Sequence, residues 1–202
     1  DHPSFPVYYV YDYPDVQTIT PTQKNYIQGF MNSLETALYG PDFTDPVSGY
    51  RAFLDVPSFI DYLIVNELAR NNDGFKKSYY FHKDKNSNGG LLKSGPVWDF
   101  DWAWKNINEC PIFAATNGSG WAYNVNNCDP DNNSPGWMKR LIQDTTFTNE
   151  LKCRYTNLRH TVLDTNAIFH YVDSVQSLMQ MAQDRHYRKW PILGINVRSE
   201  ER

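Results

Sequence analysis

The chain has 202 residues, 41% hydrophobic and 21% charged, which is enough apolar material for a folded core and excludes a disordered tail. Lys and Arg total 19 against 23 Asp and Glu, a net charge of -4, so there is no electrostatic case for nucleic acid as the main partner. The longest apolar runs, such as 59–65, fall far short of the roughly 20 residues that a membrane span needs.

The chain opens Asp1-His2-Pro3-Ser4, with no initiator Met and no basic-then-apolar leader, as a processed protein or an excised fragment would. Residues 1–18 carry Pro3, Pro6 and Pro14 and a β-prone Val7–Tyr11 run, so extended chain is expected there. A helix then starts at a Thr20 cap with Pro21 in its first turn and Gln23 placed for a capping box, and ends at Gly40-Pro41. A second follows the Asp55 cap and runs to about Arg70. Ser78–Lys83 and Gly95–Asp101 are expected as two strands of a hairpin around the turn chemistry of Asp84–Gly90. Asp84-x-Asn86-x-Asn88-Gly89 resembles half of a calcium loop, but Gly95 stands where the bidentate Glu belongs, so the hairpin turn is the expectation.

Residues 106–135 form a long polar loop, flanked at Cys110 and Cys128 by a candidate disulfide that would remove loop entropy in an exported protein. Cys153 is expected as a buried helix residue. Helices are predicted near 136–143, 147–160 and 165–185, the last behind an Asp164 cap. Helices, one hairpin, then helices predict an α-rich α+β fold, with helices around a small β-hairpin in a single domain over 1–202.

The acids carry the chemistry. On one strand, Asp99 and Asp101 would face the same side, either holding a divalent metal or capping turns and pairing with bases. Trp98, Trp102, Trp104 and Trp121 are candidates for core packing or for stacking on a sugar or base. The chain has no glycine-rich phosphate loop and no GxSxG elbow.

Asn66-Glu67-Leu68 with Asn72-Asp73, then Lys83-Asp84-Lys85 and Gly95-Pro96-Val97-Trp98-Asp99-Phe100-Asp101, resemble the CotH (spore-coat protein H) kinase family, in its exported Bacteroides-type branch. Tyr39-Gly40-Pro41, Gly49-Tyr50-Arg51, Arg140–Asp144 and Trp190–Gly194 extend the likeness over nearly the whole chain. The resemblance implies an atypical, extracytoplasmic protein kinase that transfers phosphate from ATP with Mg²⁺ (or Mn²⁺) to Ser or Thr of coat or surface proteins. It implies Asp73 as the catalytic-loop acid and Asp99 as the metal acid with Asp101 second. Asn66, Glu67 and Asn72 would support that site, and Trp98 would flank the nucleotide. It also implies an upstream lobe carrying a phosphate-binding lysine; with only residues 1–18 before the first helix, the chain is expected to be the catalytic-loop half of such a kinase. Two other functions compete: an exported glycan- or protein-binding module on the same scaffold, and a glycoside hydrolase using Asp73 and Asp99 as paired carboxylates.

Overall fold

The computed structural model describes residues 7–104, 112, 119–128 and 133–195, which divide into two compact units, 1–152 and 153–202. Helix α1 (Pro21–Tyr39) begins as its sequence dictates. Thr20 Oγ1 accepts from Gln23 N–H at 3.3 Å, and Gln23 Oε1 accepts from Thr20 N–H at 2.9 Å. Its last carbonyls have a remote partner, because Arg140 donates to Leu38 O at 2.9 Å and Gly40 O at 3.1 Å. Helix α2 (Val56–Ala69) is capped by Asp55, whose carboxylate accepts from Ser58 N–H at 3.1 Å. It buries Phe59, Ile60, Tyr62, Leu63, Ile64 and Asn66, so apolar contact surrounds most of its circumference, as expected of a central helix.

Strands β1 (Phe81–Lys83) and β2 (Leu92–Ser94) pair antiparallel, Phe81 opposite Ser94 and Lys83 opposite Leu92. Leu92 also exchanges backbone bonds with Phe53 and Asp55 (2.8 and 2.9 Å), which pins the hairpin to the entry of α2. In the connecting turn, Asp84 accepts from Lys85 N–H at 2.7 Å and from Asn88 Nδ2 at 2.9 Å, so its carboxylate serves the turn. Helix α3 (Trp137–Leu141) packs against α1, and α4 covers Thr145–Arg159. Phe59, Phe81 and Trp137 meet with ring centroids 5.0–6.5 Å apart, Tyr79 lies 4.1 Å from Phe81, and Trp137 Nε1 donates to Glu35 at 3.1 Å. These rings are the core of the first unit.

In the second unit, α5 (Thr165–Lys189) starts at Asp164, which accepts from Asn166 and Ala167 N–H at 2.9 and 3.3 Å. None of its residues is buried.

The α-rich α+β expectation is borne out; four local expectations are not. Residues 12–18 form turns where extended chain was expected. The strand expected over 95–101 is irregular chain followed by a turn at 101–104, because Gly95 (φ +110°) and Asp99 (φ +58°) leave the extended region. Cys153 is an exposed free thiol, since α4 fully buries only Phe147. Trp98, Trp104 and Trp121 are 60%, 77% and 60% exposed, so the core role expected for them belongs instead to Trp137 and the Phe and Tyr rings. Cys128 is disulfide-bonded, while Cys110 lies outside the described residues.

Candidate active site

The chain leaves α2 through Arg70, held left-handed at φ +48°, and turns back beneath the helix end. Asn66, fully buried one turn earlier, organises this reversal. Its Nδ2 donates to Tyr62 O at 3.0 Å, and its Oδ1 accepts from Asn71 Nδ2 at 3.1 Å. Gly74 passes so close that a Cβ there would sit 2.1 Å from Asn66 Oδ1, which leaves glycine as the residue that fits. Tyr62 hydroxyl closes the arrangement by donating to Gly74 O at 2.6 Å.

Asp73 lies between these anchors, at the start of a short 3₁₀ turn (Asp73–Phe75), and is 5% exposed. Its carbonyl accepts from the N–H groups of Lys76, Lys77 and Ser78 at 3.1, 3.1 and 3.0 Å, which wraps the following residues around it. That wrapping puts Lys76 Nζ 3.4 Å from Asp73 Oδ1, with both side chains under 10% exposed. Asn71 Oδ1 and Asn72 Oδ1 are buried with no hydrogen-bond partner among the described residues. Buried acceptors left unpaired cost free energy (about 1–3 kcal/mol each), so this loop keeps acceptor capacity in reserve.

The second acid arrives from the other side of the hairpin. Ser78 Oγ donates to Asp99 Oδ2 at 3.3 Å, so a single turn of chain links Asp73, through its carbonyl, to Asp99, through a hydroxyl. The segment after Asp99 is tied to the end of α2: Trp104 donates its backbone N–H to Ala69 O at 2.8 Å and its indole N–H to Leu68 O at 2.9 Å. Asp99 is half-buried, whereas Asp101 lies exposed in the 101–104 turn. The same-face pairing expected of these two acids is therefore corrected, because it required a strand that the left-handed Asp99 interrupts. Trp98 projects outward, edge-on to Tyr80 at 6.4 Å.

Glu67 points elsewhere. Its carboxylate accepts from Ala122 and Tyr123 N–H at 2.9 and 2.8 Å, holding the 3₁₀ segment Ala122–Cys128. Burial pushes its carboxyl above the ordinary glutamate value, against the pull of those two N–H groups and of Arg70. Arg70 holds the same loop by donating to the carbonyls of Ile112, Ser119 and Gly120. Glu67 thus braces a loop beside the site.

The structure puts Lys76 on Asp73, while Lys83 is engaged on β1 with Tyr26 hydroxyl (2.7 Å) and Asn86 (3.1 Å). The i,i+3 interval from Asp73 was the available signal for Lys76, and it becomes one only once a 3₁₀ turn is known there. Ser78 was missed entirely, since its bond to Asp99 spans 21 positions.

Among the described residues, no group of three or more His, Cys, Asp or Glu is arranged to hold a metal. A cation at Asp99 fits a different donor set: one carboxylate, a neighbouring hydroxyl, water and phosphate oxygens. Mg²⁺ favours that mixture over an all-protein cage.

The turn 73–78 thus carries a buried acid beside a lysine and, at its end, a hydroxyl bonded to a second acid. The family model for CotH kinase protein matches residues 2–202, and the chain belongs to that family. No curated protein and no solved structure matches it.

Proposed function

We propose that this chain carries the catalytic loop of a protein kinase that transfers the γ-phosphoryl group of Mg-ATP to a Ser or Thr hydroxyl of a coat or surface protein. The observation that carries this is the single turn 73–78, which sets Asp73 beside Lys76 and reaches Asp99 through Ser78. Asp73 accepts the hydrogen bond, and then the proton, of the attacking hydroxyl. The ammonium of Lys76 offsets negative charge where acceptor and phosphoryl group meet. Asp99 holds the metal, with Asp101 as an outer acid. Bound Mg²⁺ supplies charge neutralisation at the phosphate oxygens, and the protein's remaining task is positioning, which is most of the catalysis in phosphoryl transfer. Asn66 and Gly74 fix the loop that carries Asp73, Asn72 offers an unpaired acceptor next to it, and exposed Trp98 is available to flank the base. The disulfide at Cys128 supports an extracytoplasmic location, and no helix among the described residues is long and apolar enough to cross a membrane.

Calorimetric titration of Mg-ATP tests this assignment. The expected result is a binding heat in the parent protein that Asp99→Ala abolishes; equal heats in both would remove Asp99 from the site. The exposure of Trp98, Trp104 and Trp121 favours a second reading, a glycan- or protein-binding module. That reading predicts ligand capture that survives Asp73→Asn and Asp99→Ala and is lost when the tryptophans become alanine.

A further inference from the structure

Ser78 is 7% exposed, and its backbone is already placed by the N–H bond to Asp73 O at 3.0 Å and by Tyr62 hydroxyl, which reaches its carbonyl at 3.4 Å. Among the described residues its hydroxyl bonds only to Asp99 Oδ2, at 3.3 Å. That separation is long for an O–H···O⁻ bond, which in a carboxylate pair shortens to about 2.5–2.7 Å. It is close to the ~3 Å between neighbouring oxygens around an octahedral Mg²⁺ with bonds of about 2.0–2.1 Å. The two oxygens are close enough to serve as neighbouring ligands of one ion.

The position in the loop points the same way. Ser78 follows Asp73 at the interval by which protein kinases separate the loop Asp from a metal-holding Asn, and P-loop NTPases use a Ser or Thr hydroxyl with an Asp for the same ion. Both precedents supply a neutral oxygen beside a carboxylate, which is the donor set at this site.

We propose that Ser78 is a direct metal ligand, its hydroxyl oxygen and the Asp99 carboxylate together binding one Mg²⁺ or Mn²⁺. Asp101, exposed in the next turn, is then outside the inner coordination sphere. The proposal rests on the assignment of Asp99 to the metal of a kinase site and adds the second protein donor.

The test is equilibrium binding, independent of turnover. Mn²⁺ is titrated into the full chain carrying Cys153→Ser, which removes the exposed thiol, and free Mn²⁺ is followed by its electron paramagnetic resonance signal. Ser78→Ala is expected to weaken Mn²⁺ binding about tenfold or more, and Ser78→Thr, which keeps the oxygen, to restore most of it. Ser78→Cys, nearly isosteric, is expected to lose Mn²⁺ affinity and gain Cd²⁺ affinity, because a thiolate prefers the softer ion. If Ser78→Ala and Ser78→Cys bind Mn²⁺ like the parent while Asp99→Ala does not, Asp99 keeps its role and Ser78 is overturned as a ligand. A Ser78→Cys protein that loses Mn²⁺ without gaining Cd²⁺ also overturns direct ligation. No Mn²⁺ site in the parent, or one indifferent to Asp99→Ala, removes the Asp99 assignment itself.

Discussion

Two buried acids in the first unit, Asp73 and Asp144, each sit next to a basic side chain, yet they are built differently. Asp144 (4% exposed) is fully used: Tyr50 hydroxyl donates to Oδ2 at 2.6 Å, Thr146 N–H donates to Oδ1 at 2.8 Å, and Arg51 lies 3.9 Å away while pairing with Glu150 at 3.1 Å. Burial and the bond to Asp144 push the Tyr50 phenol above its ordinary range, so the proton stays on the tyrosine and the carboxylate remains the acceptor. Asp73 has one side-chain partner among the described residues, Lys76, and is flanked by the unpaired oxygens of Asn71 and Asn72. A satisfied buried acid joins segments and stabilises the fold. An acid left with spare acceptors around it is the one we propose for the reaction.

Exchanging the carboxylates for amides separates these roles most widely. Asp73→Asn should lower phosphoryl transfer per folded molecule about 10²–10⁴-fold, the range expected for a lost general base, on top of the stability lost when the buried Lys76 ammonium is uncovered. Asp144→Asn should differ in sparing the chemistry. It leaves transfer per folded molecule unchanged but destabilises the fold by about 3 kcal/mol, because it uncovers Arg51 and spoils the Tyr50 bond. Equal loss of transfer per folded molecule in the two variants would break the distinction.

Gly74→Ala comes next. The added methyl collides with Asn66 Oδ1, and overpacking of this kind costs about 1–3 kcal/mol. Activity should fall with stability, since displaced Asn66 releases the loop that carries Asp73. Calorimetric unfolding alongside a transfer assay measures both.

The smallest expected effect is at Glu67. Its native pKa is raised, so the native state holds its proton more tightly than the unfolded chain does. Its contribution to stability is therefore greatest below the ordinary glutamate value and fades as pH rises through the raised native value. Glu67→Gln cannot titrate, so relative to it the parent should lose stability over that interval and run parallel above it, as urea unfolding across pH 4–8 will show. A constant difference would mean that the loop bonds from Ala122 and Tyr123 N–H offset the burial cost completely.

What was legible in the sequence was local. The caps at Thr20, Asp55 and Asp164 all form as expected, because each needs only a side chain and the N–H groups two or three residues ahead. The family was legible from two short blocks, Asn66–Asp73 and Gly95–Asp101; in the structure Trp104, three residues past the second block, bonds to Leu68 and Ala69 of the first. Geometry that depends on distant chain was not legible. Apolar Val97 and Phe100 beside the acids suggested a strand, but the left-handed Asp99 breaks the extended run and the register with it. The tryptophans gave no sign of which would be buried, because that depends on Glu35, Phe59 and Phe81 meeting Trp137. Ser78 looked like an ordinary strand residue until Asp99 arrived from across the hairpin.

The most direct test of the Asp73–Asp99 site is transfer of labelled γ-phosphate from Mg-ATP to a Ser- and Thr-containing coat or surface protein, with Mg-ATP affinity measured on the same samples. The account predicts transfer by the parent, an Asp73→Asn protein that binds Mg-ATP as tightly but transfers at least a hundredfold more slowly (about 10² being the lower end for a lost general base), and an Asp99→Ala protein that loses both. Transfer that persists in Asp73→Asn would contradict it.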